Sequence, residues 1–186
     1  MFLRCKRSHY CQSQRFHAKI AKIHAWSSLL TDFQIRNAQF AERVEGSFNR
    51  QGLMAHLGAR IANVKAGAVE IQVPFAQHLS QQHGFFHGGL IGTIGDNAGG
   101  YAAFSLMSAT DSVLTVEYKL NIMAPAKGEL LIARGRVLRA GRTLSVCQSD
   151  IFVSLDGVEK LCATMLGTFM TMADAPDEPG GKVTKH

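Results

Sequence analysis

Two features of this 186-residue chain have the residue types and spacing to do chemistry on a carbonyl. One is the run Gln81-Gln82-His83-Gly84-Phe85-Phe86-His87-Gly88-Gly89, and the other is Asp96, alone in a long apolar stretch. His87-Gly88-Gly89 reads as the start of a helix, where backbone N–H groups have no intrahelical partner and the helix dipole favours negative charge. Glycine there lets a ligand come close to the backbone, so the start of the helix is a candidate oxyanion site, with Gln81 placed to orient a water or the carbonyl. Gly-Gly alone is a weak signal. An ionised carboxylate on an apolar helix is costly unless it is paired or used. A cap or pairing role for Asp96 therefore stands beside a chemical one.

Spacing constrains how these groups act together. Gly88 and Asp96 are eight residues apart, about 12 Å along a helix at 1.5 Å per residue, so one chain cannot bring both to one carbonyl. If both act on one substrate, two chains must contribute, and the site lies at a dimer interface.

The elements that must hold these groups follow from periodicity. Phe40, Val44 and Phe48, continued by Leu53, Met54 and Leu57, mark an amphipathic helix over about 37–57. Residues 59–63 and the alternating Val69, Ile71, Val73 and Phe75 form a hairpin around Lys65-Ala66-Gly67, ended by Pro74. From Gly88 to Met107 the chain is apolar and crowded with small residues. Six glycines there, at about 1 kcal/mol each relative to alanine, need compensation from close packing, as in a helix enclosed by a curved sheet. Runs at about 112–123, 129–139, 143–155 and 158–171, separated by turn chemistry, read as a four-stranded antiparallel meander. The fold class is α+β, with an antiparallel sheet wrapped around a long central helix.

Composition narrows the function. The net charge of +6 comes from six basic residues before Asp32, a stretch with no acidic one; the other 14 basic residues balance the 14 acidic ones. The body therefore carries no basic footprint for nucleic acid. No stretch reaches the ~20 apolar residues of a membrane span. The leader lacks a secretory apolar core, and its composition fits an organelle transit peptide as well as a non-native upstream extension. Cys5, Cys11, Cys147 and Cys162 lack paired spacing, and the last two read as buried thiols in a reducing, cytoplasmic setting. His78, His83 and His87 stand five and four apart in a loop without clustered carboxylates, which is not a metal ligand set. Arg134, Arg136, Arg139 and Arg142 flank a turn as a solvated strand face, and Tyr101, Phe104 and Met107 read as core.

His87-Gly88-Gly89, Asp96 nine positions after the histidine, and Gly99-Gly100-Tyr101-Ala102 together resemble the hotdog-fold acyl-CoA thioesterases of the PaaI-like, 4-hydroxybenzoyl-CoA thioesterase superfamily. The resemblance covers about 37–172, with Thr115-Val116-Glu117-Tyr118 and Ala124-Pro125-Ala126-Lys127 included; 1–36 is a leader outside it and 173–186 a disordered tail. It implies Asp96 as nucleophile or general base, Gln81 as the residue positioning water or carbonyl, and the Gly88 N–H as the polarising donor. It further implies His87 shaping that turn and Thr115 assisting the carboxylate. Gly89, Ile122, Met123, Ala124, Pro125, Ala126 and Lys127, with Arg139 and Arg142, fall where relatives contact CoA. The resemblance implies no metal or redox cofactor, an acyl-CoA substrate, and a homo-oligomer, either a dimer or a dimer of dimers. A non-catalytic acyl-CoA-binding hotdog protein and an acyl-thioester dehydratase or hydratase are the competing functions; thiol release separates the first and enoyl absorbance the second.

Overall fold

A computed structural model describes residues 33–175 and Asp177. The basic leader up to Asp32, with Cys5 and Cys11, and the tail beyond Asp177 lie outside the described residues. Helix α1 (Phe40–Asn49) and a short α2 (Gly52–His56) lead into the hairpin β1 (Arg60–Lys65) and β2 (Ala68–Pro74). A 3-10 turn (Gln77–Leu79) precedes the central helix α3 (Gly88–Phe104). Strands β3 (Ser112–Ile122), β4 (Leu130–Ala140), β5 (Leu144–Leu155) and β6 (Val158–Met172) complete one six-stranded sheet.

Every strand pairing is antiparallel, and α3 packs against β2, β3, β4, β5 and β6, so the sheet wraps the helix as the glycine content predicts. Alternation sets which side chains reach it: Ser145, Cys147, Ser149, Ile151 and Val153 of β5 are buried, with partly exposed residues between them. Close approach depends on glycine at two places. A Cβ at Gly135 of β4 would lie 2.2 Å from the Ala98 carbonyl group of α3, and one at Gly99 would meet Phe169 at 3.0 Å. Phe104, Phe169, Ile94 and Ile151 fill the space gained, each contributing about 1.5–3 kcal/mol by burial. Cys147 and Cys162 are core thiols, pushed by burial up to about 12 and about 11.

Two features depart from the sequence reading. The single helix expected over 37–57 is broken, because Gln51 adopts an extended ψ of 108° before Gly52 and turns its side chain toward α3. The four later strands are not a simple meander: the sheet order is β1-β2-β4-β5-β6-β3, so β3 crosses to the far edge beside β6. Phe33 packs against the core, next to a Gly67 that turns the hairpin at a φ of +77°.

Beyond Met172, Asp174 and Asp177 bond to the body. Thr110 Oγ1 donates to Asp174 Oδ1 at 3.2 Å, and Asp177 pairs with Arg50 at 2.7 Å. Among the described residues no helix is long and apolar enough to cross a membrane.

Candidate active site

One side of α3 faces away from the β4–β5 floor and carries Gly89, Thr93, Asp96, Asn97 and Gly100, a stripe at helical spacing. Thr93 and Asn97 cap carbonyls of their own helix: Thr93 Oγ1 donates to Gly89 O at 2.9 Å and Asn97 Nδ2 to Thr93 O at 3.0 Å. Asp96 instead looks outward to β3, where Thr115 Oγ1 donates to its Oδ1 at 3.0 Å. Burial lifts the Asp96 carboxyl above its ordinary value, and the Thr115 hydrogen bond opposes that by favouring the charged form.

The placement of Thr115 depends on a bulge. Thr115 pairs with Phe169 and Glu117 with Thr168, so Val116 is the extra residue on β3. The shift lets Thr115 face α3 while, beyond the bulge, Tyr118, Leu120 and Ile122 also face it: Tyr118 Oη and a Leu120 methyl lie near Gly92, and an Ile122 methyl near Gly88. Strict alternation would have sent one of these sets outward.

At the other end of the stripe, His87 caps α3, its Nδ1 accepting from the Gly89 N–H at 2.9 Å. That engages Gly89 and leaves the Gly88 N–H without a partner among the described residues, the donor an oxyanion needs. Gln81 begins the turn leading into the helix. Its Oε1 accepts from the His83 N–H, which fixes the side chain and leaves the amide nitrogen for a ligand. Ile122 to Lys127 lie at this same end, where Ala126 O accepts from Phe86 N at 3.0 Å. Ala126 itself is buried, whereas Ile122, Met123, Pro125 and Lys127 are exposed and Ala124 is half-buried. Arg139 and Arg142 are exposed at the opposite end of the sheet, roughly 30 Å along β4 by its rise per residue. Arg134 is no solvated cation: it forks onto Glu159 at 2.7 and 3.0 Å and reaches Glu70 at 2.8 Å.

Within one chain, then, the expected residues form two groups. Asp96 and Thr115 open onto a cleft of about 500 Å³ that none of Gln81, His87 and Gly88 lines. The cleft is completed by residues the sequence did not single out for the site, Ser47, Arg50, Gln51 and Asn97, and by Tyr101, which it assigned to the core. The break between α1 and α2 that brings Arg50 and Gln51 here has only Gly52 as a local signal. Among the described residues no three His, Cys, Asp or Glu side chains gather in a metal-binding group.

Comparison with known proteins agrees with this fold. The thioesterase superfamily model matches residues 83–159, the segment from the helix start through β5. An inferred esterase of Saccharolobus solfataricus is 34% identical over 114 residues, which span 61% of this chain and 78% of the relative. A 1,4-dihydroxy-2-naphthoyl-CoA hydrolase of Listeria monocytogenes is 24% identical over 110 residues, 59% of this chain and 87% of that protein. The crystal structure of a thioesterase family protein from Silicibacter pomeroyi superposes with a TM-score of 0.71 at 46% identity, covering 72% of this chain and 98% of that one. The Escherichia coli PaaI protein, at 16% identity and a TM-score of 0.65 over 76% of this chain and 98% of its own, shares the fold. The chain belongs to the thioesterase superfamily. It is a hotdog-fold thioester hydrolase, as the resemblance implied.

Proposed function

We propose that the protein hydrolyses acyl-CoA thioesters at a site completed by two chains, with Asp96 of one facing Gly88 and Gln81 of the other. The observation that carries this reading is the arrangement of α3 under β3. Thr115 meets Asp96 at one end and Ile122 meets Gly88 at the other. β3 is also an edge strand, bonded among the described residues only to β6 and exposing Leu114, Val116, Tyr118 and Ile122. A second copy pairing antiparallel through this edge lays its Asp96 end beside the first copy's Gly88 end, which removes the ~12 Å mismatch within one chain. The same pairing carries Arg139 and Arg142 of the second chain toward the first chain's Ile122–Lys127 segment, where the CoA phosphates would lie.

In the reaction, the Gly88 N–H binds the thioester oxygen more tightly as it becomes an oxyanion, and Gln81 orients the attacking group. As general base, Asp96 takes a proton from water while the oxygen adds to the carbonyl. As nucleophile, its carboxylate adds directly and water then cleaves the anhydride. In both routes the tetrahedral intermediate collapses with loss of the CoA thiolate, leaving the free acid directly in the first and, in the second, the anhydride whose cleavage by water releases the acid and restores Asp96. The test is thiol release from a panel of aryl, short, medium and long acyl-CoA esters. Turnover on at least one ester is expected; binding without release on every ester would leave an acyl-CoA carrier.

A further inference from the structure

The Asp96 cleft ends in hydrogen-bond donors, where an alkyl chain would need apolar side chains. Five residues further along α3, about 7.5 Å at the helical rise, Tyr101 turns its hydroxyl into the cleft while its ring packs edge-on against Phe48 and Phe104. Tyr101 Oη lies 3.1 Å from Ser47 Oγ and accepts from Gln51 Nε2 at 2.6 Å. Two hydroxyls joined by one hydrogen bond use one of their two protons, so the other is left without an acceptor among the described residues. Gln51 retains a second N–H, and Arg50 brings its guanidinium to the same cleft. Burial raises the Tyr101 phenol above its usual value, so it stays a donor at neutral pH.

One acceptor already sits there. Asp177 places its carboxylate 2.7 Å from Arg50 Nη2, and its backbone carbonyl accepts from the same nitrogen. The chain's own C-terminal segment thus shows that a carboxylate fits this end of the cleft.

We infer that the cleft selects acyl groups carrying an acceptor oxygen at the far end, a carboxylate foremost, with Tyr101, Gln51, Ser47 and Arg50 determining specificity and Asp177 competing for Arg50. This rests on the thioester-hydrolase reading and names the acyl class for the same site. The span from Asp96 to Tyr101 is roughly the reach of a five- or six-carbon chain. An acyl group ending in a methyl would leave the donors unpaired, and a site built to hydrogen-bond a substrate discriminates strongly against analogues lacking the partner.

The experiment compares kcat/KM on hexanoyl-, 6-hydroxyhexanoyl- and adipoyl-CoA, which match in length and differ at one end. Adipoyl-CoA is expected at least about tenfold ahead of hexanoyl-CoA. Tyr101→Phe and Gln51→Leu should each narrow that ratio, and Asp177→Ala should lower KM for adipoyl-CoA but not for hexanoyl-CoA. Either oxygen-ended ester ahead of hexanoyl-CoA supports the inference, and their order distinguishes a carboxylate from a neutral oxygen. Equal rates on all three, or hexanoyl-CoA in front, overturn it while leaving the hydrolase reading intact. Hydrolysis of none of the three refers the hydrolase reading to the panel of aryl, short, medium and long esters. Calorimetric affinities of the same three esters then decide the cleft's preference, with equal affinities overturning the inference.

Discussion

Asp96 is a carboxylate in tension with its surroundings, and that gives it two measurable signatures. Its folded-state value is raised by burial, so the folded chain holds a proton more readily than the unfolded one, and stability falls as pH rises from the ordinary carboxylate range through the raised value. Asp96→Asn keeps the Thr115 hydrogen bond and removes the buried charge. It should cost at least about 100-fold in kcat yet raise the melting temperature at neutral pH by about 1–3 °C, the small gain expected when a functional charge is removed at a partly solvated site. The gain should vanish below the ordinary carboxylate range, where Asp96 is neutral in both states; a gain that persists there would assign it to packing. The acid limb of kcat/KM should lie above that range. Thr115→Val deletes the bond that favours the charged form, so the limb should move further up, and an unmoved limb would remove Thr115 from the site. The role proposed for Asp96 is legible in sequence because this lone carboxylate in an apolar helix follows the Gln81–Gly89 run. Tyr101 is not: its ring is core, as its neighbours suggest, and only the break before Gly52 brings Gln51 to its hydroxyl.

The elements are legible where a local period governs them. The strands and the central helix fall close to their predicted positions because alternation and the Gly88–Met107 composition are local signals, although α3 stops at Phe104. What the sequence hides is pairing. The crossing of β3 to the edge beside β6 and the bulge at Val116 are settled by which faces must reach α3, a constraint that no single strand carries. The helix–sheet spacing gives a prediction at this scale. Gly135→Ala drives a methyl into the backbone of Ala98, which has no flexible end to move aside. It should destabilise the fold by about 2–3 kcal/mol or more, read by denaturant melts. Gly84→Ser has open space around it and should do less, limited to the strain of its +77° φ.

For the molecule as a whole, the separation of Asp96 from Gly88 on one helix makes assembly part of the proposed mechanism. The central claim is that each site draws on two chains, and subunit mixing tests it most directly. Asp96→Asn and Gly88→Pro are each expected to be inactive. The second should fold, since Gly88 is the first helical residue, its N–H has no partner among the described residues, and His87 before it is extended with φ −66° and ψ 139°, the setting in which proline is tolerated; circular dichroism checks this. Random reassortment gives about half heterodimers, each with one intact and one doubly damaged site, so a mixture of the two variants should recover roughly a quarter of wild-type thioester hydrolysis. No recovery from a mixture shown to contain heterodimers would place the whole site within one chain and contradict the account.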